Sequence, residues 1–193
     1  MRRTLVGLFI FAGIGLQGFW PQRGMADPIA QLPEFIVKDQ NGNVLGILSQ
    51  QSFPSGVIVL LRDTTHNENY FIQISTTLMR GSDSPNVYFT NTNCTGTAYV
   101  DAPSAVNASN SSIASLRGSV FVVGPDGLGG TVANRVYRGA GVGANNNGVI
   151  NSRFQASLTG AASCDAGIDP SGNSVQATIV KNLSSFVTPF VIE

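Results

Sequence analysis

Residues 34–48 read EFIVKDQNGNVLGIL, and the fold class turns on them. Glu34 to Asp39 alternates as a strand does, Asn41-Gly42 offers two residues that accept positive φ, and Val44 to Leu48 returns to apolar side chains. Asn-Gly between two such runs predicts a β-hairpin closed by a type I′ turn. Leu32-Pro33 leads into it as extended chain.

The same grammar repeats toward the C-terminus. Val57 to Arg62 (VIVLLR) is a continuous apolar run, expected as a central strand covered on both faces, and Tyr70 to Ser75 (YFIQIS) returns from a polar turn at Asp63 to Asn69. Val87 to Thr90 and Thr97 to Val100 flank a turn that places Cys94 at a loop tip. Ala102 to Ser115 is small and polar and reads as an exposed loop or broken edge. Ser119 to Val123, Val132 to Arg138, Ser152 to Leu158, Val175 to Leu183 and Phe186 to Ile192 complete the strands, with Pro189 confining the last to an edge or a bulge. Gly139 to Gly148 (GAGVGANNNG) has too little apolar surface to order itself and reads as a mobile loop, and Cys164 falls in another loop. Turns every 8 to 12 residues predict an all-β, single-domain antiparallel β-sandwich or open barrel of about ten short strands. Helix-forming Lys and Glu are scarce, which agrees.

Working outward to residues 1–26, Arg2 and Arg3 precede an apolar run from Leu5 to Leu16, and Gly24-Met25-Ala26 carries small residues where a signal peptidase reads. This is the pattern of a bacterial secretory signal peptide, and the residues around the twin arginine match the folded-export route poorly. The run is shorter than the roughly 20 residues a membrane-spanning helix needs. The expected mature chain, residues 27–193, is secreted or periplasmic, with no transmembrane span. Its eleven acidic and eight basic residues give a formal charge of −3, and the basic residues are scattered singly from Lys38 to Lys181. That excludes the basic stripe of a nucleic-acid partner. A lipid-facing barrel is not expected either, because regular strands of about 10 residues are missing.

Cys94 and Cys164, an even pair in an oxidising compartment, are expected to form a disulfide bond. Closing a loop of about 71 residues stabilises a fold by roughly 4 kcal/mol on the chain-entropy argument. The alternative is two buried thiols. A metal or redox pair lacks both the C-x-x-C spacing and a nearby histidine.

Chemistry-bearing residues are sparse. His66, the single histidine, would have to be the base of any Ser-His-Asp arrangement, yet it lies in a solvated turn and no G-x-S-x-G elbow exists. Asp39, Asp63, Asp83, Asp126, Asp165 and Asp169 sit at turns, where carboxylates bond their own backbone, so no glycosidase pair is indicated. Asp39, Asn41 and Asn43 place three oxygens at alternate positions, as a calcium loop does, but the glycine is misplaced and no Glu follows at the twelfth position. Turn chemistry explains the same three residues without an ion. Asp165, Asp169 and Asn173 form a looser cluster with the same two readings. Tyr88, Tyr99 and Tyr137 are the platforms a surface glycan would need, against an alternation that favours the core. No enzyme activity and no cofactor are expected.

The order DxNGN, then the block carried by Val87, Tyr88, Phe89, Thr90, Cys94, Gly96, Ala98 and Tyr99 (VYFTxxxCxGxAY), then a second cysteine and FVTPFVI, resembles an uncharacterised family of exported bacterial β-rich proteins. The resemblance implies this fold and carries no catalytic residues. Some members follow collagen-like or fibre-like repeats, which implies a surface or appendage role; this chain has no such repeat. Two functions are therefore expected in order: a non-enzymatic module acting at or outside the cell envelope by binding or assembly, and a fibre or pilus-like subunit whose Phe186 to Ile192 edge pairs between chains.

Overall fold

The computed structural model describes residues 35–52, 56–75, 78–103, 116–146, 148–156, 161–167 and 173–193. The expected signal peptide, most of the Ala102 to Ser115 loop, and Asp169 lie outside them. The described strands are β1 (Ile36–Lys38), β2 (Val44–Ser52), β3 (Gly56–Asp63), β4 (Glu68–Ile74), β5 (Met79–Gly81), β6 (Asn86–Asn91), β7 (Thr95–Asp101), β8 (Ser119–Gly124), β9 (Arg135–Ala140), β10 (Ser152–Gln155), β11 (Ser163–Ala166), β12 (Ser174–Asn182) and β13 (Val191–Ile192), with one 3₁₀ turn at Thr92–Cys94. Two antiparallel sheets pack against each other without closing into a barrel, one ordered β13-β1-β2-β3-β4-β5 and the other β11-β10-β6-β7-β12-β9-β8. The fold is an all-β sandwich.

Between the sheets lies one apolar core. Alternation delivers Val37, Val59, Leu61, Tyr70, Ile72 and Ile74 from the first sheet and Val87, Phe89, Val100, Phe154 and Val175 from the second. Strand β12 is shared along its length: Ser174 to Gln176 pair with β7, whereas Ala177 to Asn182 pair with β9 across a bulge after Ile179. Gly139 fits this corner because a Cβ there would lie 2.3 Å from Val100 Cγ2 and 2.7 Å from Val175 Cγ2. Gly81 does the same for β5, where a Cβ would come within 2.6 Å of Val122 Cα on β8.

Several expectations are corrected. The first hairpin turns through a three-residue loop instead of a type I′ pair: Gly42 N–H bonds Asp39 O, Asp39 N–H bonds Asn43 O, and Gly42 alone of the pair has positive φ, at 83°. The Asp39 carboxylate accepts from the N–H groups of Asn41 and Asn43, which starts the turn one residue early. The apolar run in β3 is central and buried on one face but only half-buried on the other, where Ile58 and Leu60 lie in register with Gln73 and Phe71. Cys164 is in strand β11, not a loop, and β5 and β11 were not foreseen. The strand expected at Val132 to Arg138 is shifted to Arg135–Ala140, leaving Val132 exposed; of that expected at Ser152 to Leu158, Ser152–Gln155 is strand, and Ser157 and Leu158 lie outside the described residues. Of the glycine-rich segment, Gly139 and Ala140 belong to β9, Ala144 bridges to Ser174, and the Asn146 amide donates to Ser174 O and Oγ. Of Phe186 to Ile192, only Val191 and Ile192 form a strand.

Candidate functional site

The turn acids are occupied by their own loops. Asp39 is 1% exposed; its Oδ1 accepts from Asn41 N and Asn43 N, and its Oδ2 from Asn43 Nδ2 and from Val187 N at 3.2 Å. Four donors fill the lone-pair directions of one carboxylate. Burial pushes its pKa up, but the Asn43 side chain and the backbone N–H groups of Asn43, Val187 and Asn41 outweigh that and hold it below the usual carboxylate value. Asn43 turns its amide N–H toward Asp39, and Asn41 meets the same carboxylate through its backbone N–H. Of the looser cluster, Asp165 meets Arg153 at 3.2 Å.

His66 is braced in the same way. At the β3–β4 tip Asp63 Oδ1 accepts from Thr65 N and His66 N, while Oδ2 meets His66 Nδ1 at 2.6 Å. Burial raises the Asp63 pKa, and hydrogen bonds from the His66 ring, His66 N–H and Thr65 N–H more than reverse it. The bonds close within residues 63–66. Among the described residues no three His, Cys, Asp or Glu side chains gather where a metal ion could be held.

A second ionic group joins the sheets and was not visible in sequence. Glu68 on β4 accepts from Arg138 on β9 through Nε at 2.8 Å and Nη2 at 2.9 Å, and from Ser119 Oγ at 3.1 Å. The Arg138 guanidinium holds the Glu68 carboxyl below its ordinary value. Asp83 pairs with Arg117 and accepts from Phe121 N at 2.9 Å; burial nevertheless leaves its pKa raised. Arg117 lies 4.8 Å over the Phe121 ring, and Phe121 stacks on Tyr70 at 4.4 Å. Each of the four charged side chains in this group has an oppositely charged partner, Glu68 with Arg138 and Asp83 with Arg117, so the group fastens neighbouring elements together.

The tyrosines divide. Tyr137 is in the core, its hydroxyl donating to Pro125 O, and burial pushes its pKa to about 12. Tyr88 is 5% exposed and donates to Asp101 Oδ1 at 3.2 Å; burial first, then Asp101, pushes it to about 12. Tyr99 alone is half-buried on the outer face, in a register row that runs Asp165, Arg153, Tyr88, Tyr99, Gln176 across five strands. A sugar-stacking surface would rest on that one ring.

Cys94 and Cys164 are disulfide-bonded, Cα to Cα 5.9 Å. Cys94 is fully buried in the 3₁₀ turn, and Cys164 faces Phe154 across the β10–β11 ladder, so the bond pins edge strand β11 to the β6–β7 turn.

The remaining feature is a strap, residues 183–193, laid along β1. Its backbone is held at three places: Leu183 N–H bonds Asn134 O at 2.8 Å, Gln40 N–H bonds Val187 O near the first hairpin tip, and Ile36 and Glu193 exchange both hydrogen bonds at 2.9 Å. The Lys38 ammonium pairs with the Glu193 carboxylate. Phe186 and Phe190 pack against the core from the strap's inner side, while Val187, Val191 and Ile192 are 38%, 43% and 40% exposed. Around the first anchor, Phe186, lies a groove of about 480 Å³ lined also by Leu78, Met79, Val132, Ala162 and Leu183. Around the second, Phe190, lies a pocket of about 140 Å³ with Val37, Val57, Ile74 and Ile192. The strap is the common wall of both. A scan against family models, a search of curated proteins and a search of solved structures return no match to this chain.

Proposed function

We propose that this chain is an exported, non-enzymatic β-module that acts by binding or assembly at or outside the cell envelope. The strap carries the reading. It is an edge element with two ladder positions, laid over apolar space that its own side chains leave partly unfilled. Support comes also from the disulfide, which belongs to oxidising compartments, and from the engagement of Asp39, Asp63 and His66 within their own turns. Among the described residues no helix is long and apolar enough to cross a membrane.

Fractionation with intact-mass measurement tests the location: the expected product begins at Asp27, is oxidised, and is found in the periplasm or medium. Recovery of a reduced chain from the cytoplasm with residues 1–26 attached would overturn it. Light scattering over a concentration series, with and without calcium, then separates the two modes. A constant monomer favours binding and directs attention to Tyr99 and surface glycans. A rising mass favours assembly, and the edge position of β13 favours the second reading, a fibre or pilus-like subunit joined through edge strands.

A further inference from the structure

We infer that the strap is exchangeable between copies: Phe186 to Glu193 of one chain takes the place, on a second chain, that the second chain's own strap vacates. The inference rests on the assembly mode above and names its site and partner. Four observations carry it. From Phe186 onward the strap's bonds to other elements go to β1 and the first hairpin tip, while Leu183 stays bonded to Asn134, so a segment Phe186 to Glu193 supplied by another copy reproduces each of them. The turn before it, Leu183 to Phe186, is built from short-range bonds, Ser184 N–H to Asn182 Oδ1 and Phe186 N–H to Leu183 O, with Ser184 and Ser185 exposed; straightening it disturbs no core residue beyond Leu183. Both phenylalanine anchors stand beside unfilled apolar space, so they leave and enter without repacking the sandwich. Charge is complementary across the join, with Lys38 on the acceptor strand and Glu193 on the strap.

Closed and exchanged forms make the same contacts, so their balance is set by effective concentration. A tethered strap competes at roughly millimolar levels, and exchange therefore grows with protein concentration or on a crowded surface. A small apolar ligand in the groove is the competing occupant, and it predicts no change in mass.

The test uses two full-length chains, Lys38→Glu and Glu193→Lys. Each alone opposes like charges at the join, in the closed form and in any pair of identical copies. In a mixed pair both joins regain opposite charges. With one chain isotopically labelled, native mass spectrometry after co-incubation is expected to show mixed pairs enriched about fivefold or more over same-variant pairs, on a join worth up to about 1 kcal/mol. The double variant Lys38→Glu with Glu193→Lys is expected to associate like the natural chain. Circular dichroism on each variant controls for folding. A chain carrying Lys38→Cys and Val191→Cys, register partners on the outer face, is expected to stay monomeric once bridged within itself. Association of the bridged chain at the natural level, or oligomers of the natural chain without preference in the mixture, overturns strap exchange and leaves assembly standing. A monomer in every arm, at every concentration, overturns both and leaves the binding mode.

Discussion

Glu68 on β4 and Arg138 on β9 share two hydrogen bonds across the sandwich, joining positions 70 residues apart with side chains only 18% and 17% exposed. Removing one partner leaves the other largely dry and unpaired. Glu68→Gln or Arg138→Met is expected to lower stability by about 1–3 kcal/mol in urea unfolding. The double variant is expected to lose less than the sum, by about 1 kcal/mol, and strict additivity would show that the pair is not coupled.

Stability should fall in acid. Asp39, Asp63 and Glu68 have pKa values below their ordinary ones, so each contributes stability that is present above the ordinary carboxylate value and is lost as pH falls through the lowered one. Asp83 has the opposite sign, since burial raises it; its contribution is complete below the ordinary value and is lost as pH rises through the raised one. Three against one predicts a melting temperature that is flat near neutrality and drops below about pH 4. Asp63→Asn should make the drop shallower, and equal melting temperatures at pH 3 and pH 7 would rule the account out.

Breaking the disulfide removes a constraint across 70 residues of chain. Cys94→Ala with Cys164→Ala is expected to cost about 4 kcal/mol on the chain-entropy argument. Limited proteolysis of the variant is expected to cut first around β11, whose four ladder positions against β10 are its only strand pairing among the described residues. First cleavage in β3 or β4 would contradict the pinning role.

Tyr70 is fully buried and its hydroxyl has no hydrogen-bond partner among the described residues. Tyr70→Phe keeps the stack on Phe121 and deletes the desolvated group, so stability is expected to be unchanged or raised by up to about 1 kcal/mol. A loss greater than that would mean the hydroxyl is bonded in solution.

Gly81 faces backbone on β8, and Gly81→Ala is expected to cost about 1–3 kcal/mol because Val122 Cα cannot swing aside. Gly118→Ala meets no atom within 4 Å, so only its positive φ of 68° is strained, and it should cost about 1 kcal/mol. Reversal of that order would argue that β5 does not lie against β8 in solution.

What the sequence disclosed was local. Asn41-Gly42, Gly124-Pro125-Asp126-Gly127 and the alternation of Tyr70 to Ile74 announce turns and strand faces through residues a few positions apart; all three pairings form, though the first turn is one residue longer than a type I′ pair and the strand after Gly127 starts at Arg135 instead of Val132. Strands β5 and β11 were missed because three or four residues of MRG or SCDA have no strand composition; neighbouring ladders recruit them. The ties that matter most to the proposed site, Asp39 to Val187 and Lys38 to Glu193, span 148 and 155 residues and leave no trace in local pattern. Turn chemistry at Asp39 was foreseen, but not that the same carboxylate also holds the strap.

The shared strand β12 sets a timetable. Its first residues complete the ladder with β7, its later ones complete that with β9, and β1 waits for residues 191–192. Such long-range pairings are slow to form. The two sheets therefore mature differently: β1 to β5 follow one another in sequence and can pair as soon as residue 81 is made, whereas the facing edges of β7 and β9 stay open to any other strand until β12 arrives between them.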